Sequence, residues 1–374
     1  MYAYVGSRTT RERNARGDGI TVYRVDPAGG RLTLVSTVSG LVNPSFLVVG
    51  PQGDRLYTVH GDGNEVSVLA IDPDDGALRL LQRRHCGGRN PVHLALDPTG
   101  RFLVVSDHHG DGAGGSLVVL PVTADGTLEA VSQRLALPGE PGPHRIEQPY
   151  SKPHANSFSP DGRWVAVPDK GLDRIFVFRF AEGRLGPAAT PWTDAREGAG
   201  PRHIAFHPTA PYAYVVNELD STVTSCWFDT RTGHLQPFQI LSTLPDSFTG
   251  TSRAAEIEIA ANGRTLYASN RGFDSIAVFL IDQGTGRLTY IEATPSGGHQ
   301  PRFFTLAPDE RHLYALNESS HDIVTFSVDP ESGRLGPGQA PIACGSPVCM
   351  VFAAIVPLQA KEAGAVTRGA HTPP

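Results

Sequence analysis

Arg202 and Glu218 stand at one end of a segment that reads as a β-hairpin, Gly200-Pro201-Arg202-His203 through Val216-Asn217-Glu218-Leu219-Asp220. The start of the first strand and the end of an antiparallel second strand meet at one edge, so a guanidinium and a carboxylate arrive together. Such a pair can bind an anion and assist a proton transfer. The same unit recurs from Asn43-Pro44-Ser45, Asn90-Pro91-Val92, Lys152-Pro153-His154, Arg253-Ala254-Ala255 and Gln300-Pro301-Arg302. Each continues with an apolar run, a turn such as Pro51-Gln52-Gly53 or Pro160-Asp161-Gly162, and a second apolar run such as Leu56-Tyr57-Thr58-Val59. Fifteen residues after the position following the proline comes His60, Asp107, Asp169, Asn217, Asn270 or Asn317. The next residue is Gly61, His108, Lys170, Glu218, Arg271 or Glu318. A third run, a Gly-containing turn and a fourth run opening on Arg-Leu or Ala-Leu complete the unit.

Self-similarity at a period of about 45 residues means one array and not separate domains. Residues 1–40 supply only the last three strands of a unit: Tyr2 to Val5, Ile20 to Val25, and Arg31 to Val35. The missing first strand returns at the far end as Ser346-Pro347-Val348-Cys349-Met350-Val351-Phe352. The expected fold is therefore all-β: a seven-bladed β-propeller of four-stranded antiparallel blades, with N- and C-terminal strands sharing one blade. A lone blade cannot bury both faces, and radial packing covers them. No helix longer than two turns is expected. The propeller should span 1–356, with an aperiodic, disordered tail at 357–374. Two insertions, Leu135 to Tyr150 and Leu244 to Gly250, are expected to form a rim or lid or bland connections.

First strands line the channel of a propeller, so the repeat register should gather its polar residues at one mouth. That mouth would collect His154, Arg202, Arg302, Asp169, Glu218, Arg271 and Glu318, with His60, Asp107 and His108 nearby. Asn217, Asn270 and Asn317 read as structural, satisfying backbone at strand ends. Lys170 and Glu318 read as solvated loop charges. For Arg202, Glu218 and Arg271 the bland alternative is a salt-bridge network bracing the blades, and for His154 a satisfied core histidine.

Other signals are negative. The net charge of −6 argues against nucleic acid, which selects basic surfaces, but leaves a small anion open. No run approaches the ~18 apolar residues of a membrane span. The chain opens on a strand without a basic and apolar leader, so a reducing cytoplasm is expected. Cys86, Cys226, Cys344 and Cys349 lack a common zinc spacing and are read as reduced thiols. His108-His109 beside Asp111 would point to opposite faces, so no metal is assigned. Gly110 to Gly115 lacks the Lys-Ser/Thr of a P-loop, and there is no G-x-S-x-G elbow for a nucleophilic serine.

Pro153-His154-Ala155-Asn156, Val167 to Arg174, Gly198 to His203, Asn217-Glu218-Leu219-Asp220 and Ser269-Asn270-Arg271-Gly272 together resemble the signature runs of the lactonase family of seven-bladed propellers. The resemblance covers roughly residues 1–356. It implies catalytic roles for His154, Arg202, Glu218 and Arg271, no metal and no organic cofactor. Asn156 departs from the pattern, since relatives often carry a second histidine there. The expected reaction is hydrolysis of a small anionic lactone, 6-phosphoglucono-δ-lactone, by a monomer or small homo-oligomer. Glu218 or His154 would be the base, Arg202 or Arg271 would hold the oxyanion, and the other arginine with Arg302 would hold the phosphate. Asp169, His108 and His60 complete the expected binding set. The alternatives are a carboxymuconate cyclase-type lactonisation and a non-catalytic propeller that binds a protein or sugar.

Overall fold

Each unit's second strand is densely apolar, and several are buried along their whole length: Tyr2–Ser7, Trp164–Asp169 and His312–Asn317. Burial on both faces requires cover from both sides, which flanking blades supply. Outer strands such as Leu32–Ser39 instead expose most of their residues. A computed structural model describes residues 1–110 and 114–353. Asp111 and the tail at 357–374 lie outside the described residues.

Among the described residues the strands form seven sheets of four. In blade 1 the C-terminal strand Pro347–Ala353 is innermost and pairs antiparallel with Tyr2–Ser7. Blades 2 to 7 are led by Pro44–Val49, Arg89–Leu96, Ser157–Phe158, Pro201–Phe206, Arg253–Ile259 and Pro301–Leu306. The inner strand of blade 1 packs against those of blades 7 and 2, closing the ring. Helical structure among the described residues is one 3-10 turn, Arg11–Arg13.

The core is distributed in layers between blades. One layer joins Tyr4 and Ile20 of blade 1 to Leu47 and Leu56 of blade 2 and to Tyr314 and Leu316 of blade 7. A repeated hydrogen bond fixes the spacing. The hydroxyls of Tyr4, Tyr57, Tyr214, Tyr267 and Tyr314 donate to the carbonyls of Gly76, Gly126, Gly286, Gly333 and Gly30 in the following blade, at 2.7–3.0 Å. These glycines have φ of +67° to +81°, and a Cβ on Gly30 would strike the His312 ring. Both the conformation and the close approach require glycine.

The Tyr314 bond, to Gly30, spans the seam between the last blade and the split one. Tyr314→Phe is expected to lower the unfolding free energy by about 1 kcal/mol, because it strands a buried acceptor. Urea denaturation of the two proteins at equal m-value checks this.

Candidate active site

The polar mouth is built where the inner strands break their alternation. Pairing slips by one residue between Pro44 and Phe46, Pro91 and His93, Pro201 and His203, and Pro301 and Phe303. A bulge leaves the extra residue without a cross-strand partner and re-aims its side chain. Arg202 and His203, though consecutive, therefore both reach the axis. Arg202 meets Glu218, while the His203 ring lies 5.2 Å from that of His154 and 6.0 Å from that of Phe46, three blades away. In blade 4 the inner strand is cut short to Ser157–Phe158, and His154 precedes it. The His154 N–H donates to Pro168 O at 2.9 Å, and Asn156 Nδ2 donates to Ser106 Oγ at 2.8 Å, so this irregular stretch is held from both sides.

Glu218 is the hub. Its carboxylate lies 3.2 Å from Lys170 Nζ, 3.3 Å from Arg202 Nε, 3.3 Å from Arg271 Nη2 and 3.8 Å from Arg253 Nη1. Burial opposes its charge, but Arg271, Lys170, Arg202 and Arg302 overcome that and hold its pKa well below the usual carboxylate value. Arg202 Nη1 and Arg271 Nη2 also donate to the carbonyls of Ala255 and Ala254, which fixes both guanidinium planes. Burial, with Arg302 and Arg271 nearby, pushes Arg202 down to about 9. It remains a cation at neutral pH, in a mouth richer in arginine than in carboxylate.

Beside this cluster runs a row of imidazoles. His108 and His154 are 5.1 Å apart between centroids, His154 and His203 5.2 Å, and His203 and His93 5.5 Å. Burial first, then Arg202 and the flanking rings, holds His154 well below the ordinary histidine pKa. Burial and Lys170 do the same for His108. Both are neutral at physiological pH. His154 Nδ1 has no hydrogen-bond partner among the described residues. His203 Nδ1 sits 2.8 Å from Glu256 Oε1, and burial raises that carboxyl to about 7. Phe46 and Phe303, 6.1 Å apart, floor the cluster.

The structure thus brings His154, Arg202, Glu218 and Arg271 together, with His108 and Arg302 alongside. It does not bring in His60 or Asp169. The His60 ring nitrogens lie 2.7 Å from both Val42 O and Ser67 Oγ. Asp169 accepts from Ser151 Oγ and from the N–H groups of Lys152, Gly171 and Leu172. The reason is strand geometry: these residues are one position before the mouth-facing ones, and neighbours on a strand point to opposite faces. Asn217, Asn270 and Asn317 share their register and also bond inward, Asn270 and Asn317 to the carbonyls of Thr243 and Ser296, Asn217 to the hydroxyls of Thr222 and Thr224. Lys170 is a correction: it is buried between Glu147 and Glu218 and is no solvated charge. Glu318 is only partly exposed, 4.0 Å from Arg302.

Some residues of the cluster escape a reading of the repeat. Glu147 belongs to the first insertion, which crosses the mouth and bonds Lys170 at 3.0 Å and Arg253 at 2.6 Å. His203 and Glu256 are hidden by the bulges. Arg8 could have been found: Pro347 pairs with Ser7 as Pro301 pairs with Asn317, so Arg8 holds the register of Glu318 in the split blade.

The family model described as a seven-bladed β-propeller lactonase matches residues 2–352. A protein of Bacillus subtilis named 6-phosphogluconolactonase is 33% identical over 311 residues, 82% of this chain and 85% of that one. A namesake in Formosa agariphila is 32% identical over 82% of this chain and 86% of its own. The structure of a periplasmic gluconolactonase of Pseudomonas aeruginosa superposes with a TM-score of 0.86 at 30% identity, covering 95% of this chain and 99% of that one. Match, blade count and closure agree, and the chain belongs to the lactonase family of seven-bladed β-propellers.

Proposed function

We propose that this protein hydrolyses 6-phosphoglucono-δ-lactone to 6-phosphogluconate. The observation that carries this reading is a neutral imidazole with a buried but unpartnered Nδ1, His154, beside a surplus of guanidinium groups held by one carboxylate, Glu218. The relatives named for that reaction support the substrate. His154 accepts a proton from the attacking water as the water oxygen bonds the lactone carbonyl carbon. The carbonyl oxygen gains negative charge and is stabilised by Arg202 or Arg271, donors of a kind worth ~10²–10³ in rate. The ring C–O bond then breaks, and the leaving alkoxide takes the proton back from the imidazole. Glu218 is a poor base, because four cations stabilise its charged form; its part is to align them.

A phosphorylated substrate does not cross a membrane unaided. This reading therefore places the reaction in the cytoplasm, and four buried free cysteines agree with a reducing compartment. The test follows acid release from the phosphorylated lactone after subtracting spontaneous ring opening. We expect acceleration far above background. A rate indistinguishable from buffer, in a protein shown to be folded, would overturn the proposal.

A further inference from the structure

Six of the seven blades place a side chain at the mouth register: Arg8, His108, Lys170, Glu218, Arg271 and Glu318. Blade 2 places Gly61 there. A Cβ on Gly61 would stand 2.8 Å from Ser45 Oγ and closer still to Arg8 Nη1, so the guanidinium of blade 1 leans into space that blade 2 leaves open. Gly61 is not in the left-handed region, so its backbone does not itself call for glycine. What the missing side chain permits is the approach of Arg8.

Arg8 is 4% exposed. Its Nε and Nη1 have no hydrogen-bond partner among the described residues, and neither has Ser45 Oγ. Buried donors ordinarily find partners, and a buried guanidinium ordinarily finds a carboxylate. Here Glu318 lies by Arg302, and Asp62 is taken by Arg13 Nε at 2.8 Å. Arg302 is the neighbouring charge that acts most on Arg8. Glu318 and Asp62 also act on Arg8, but neither pairs with it among the described residues, so Arg8 and Arg302 repel each other while the Ser45 hydroxyl stands with the Arg8 guanidinium around Gly61.

We propose that Arg8, Ser45 and Arg302 form the subsite for the substrate's phosphate, and that it selects phosphorylated over unphosphorylated sugar lactones. This rests on the lactonase reading above. A phosphate offers three acceptor oxygens and close to two negative charges, enough to satisfy both guanidinium groups and the hydroxyl. The site lies on the blade 7, 1 and 2 side of the channel, across from the blade 4 to 6 side where His154, Arg202, Glu218 and Arg271 meet. A lactone bridging the opening would present its ring carbonyl to one set and its phosphate to the other.

Arg8→Met keeps the packing of the stem and removes the charge. The ratio of kcat/KM for 6-phosphogluconolactone over that for gluconolactone is expected to fall about 10–100-fold, the range of one or two charge-assisted hydrogen bonds. The loss should appear mainly in KM. Gly61→Ala, which pushes the guanidinium aside, should shift the ratio the same way. Equal losses on both lactones, or an unchanged ratio, would overturn the proposal. Inorganic phosphate titrated into each protein gives a second readout, valid even if neither lactone is turned over. Saturable binding weakened at least tenfold by Arg8→Met supports the subsite, and equal or absent binding removes it. A thermal melt separates a bracing role. Loss of an uncompensated buried charge should leave the melting temperature level or higher, whereas a structural Arg8 would lower it.

Discussion

Glu218→Gln is expected to destabilise the fold by about 3–5 kcal/mol, the range for removing one member of a buried ion cluster. The carboxylate is within 4 Å of Lys170, Arg202, Arg271 and Arg253. A glutamine fills the same volume but leaves those cations facing one another. The Ala254 and Ala255 carbonyls still hold one arm of each arginine. We therefore expect a folded but weakened protein, with kcat reduced about 10²-fold or more as the oxyanion donors lose alignment. KM for an anionic lactone should not rise, because the mouth becomes more positive. The pH dependence follows from the direction of the shift. The folded-state pKa of Glu218 is below its ordinary value of 4.5. Its stabilisation is therefore complete above about pH 5 and is lost only as pH falls through the lower folded value. Chemical denaturation at pH 7 and in acid checks both points: a variant as stable as the parent at pH 7 would show that the charges are balanced without Glu218.

His154→Ala should do the reverse, costing most of the rate and little of the stability. No hydrogen bond ends on Nδ1, so removing the ring strands no partner there. Loss of a well-placed general base lowers kcat by ~10²–10⁴. His154→Asn, closer in size, is expected to be equally slow, which separates proton transfer from packing. The parent enzyme carries a pH signature. Burial, Arg202 and the neighbouring rings hold the His154 pKa well below 6.5, so the basic form persists as pH falls through 6.5. On gluconolactone, which carries no phosphate to titrate at about pH 6, the kcat/KM profile should be level there and decline only at lower pH. An inflection near 6.5 would assign the base to an ordinary, solvated histidine elsewhere.

How legible this protein was differs by level. Strands, turns and ring closure follow from local rules, and each holds in the structure. Alternating runs bounded by Pro-Asp-Gly and Pro-Gln-Gly make hairpins wherever they occur. The proline-led opening at Pro347 announces the strand that Tyr2–Ser7 lacks. The site was half legible. Register alone gathers Arg202, Glu218 and Arg271, but it sweeps in His60 and Asp169, which face the other way. The split blade, whose halves stand at opposite ends of the chain, concealed Arg8.

What the sequence by itself determined was the wheel, the spacing of its units and the positions that carry charge, because hydrophobic period and turn chemistry act over a few residues. Only the tertiary structure decided which of two consecutive polar residues looks down the axis, since a bulge of one residue settles that and leaves no mark on composition. It also decided which groups stay ionised. Glu218 keeps its charge and His154 sheds its proton because several blades, far apart in the chain, set the dielectric and the field at one opening.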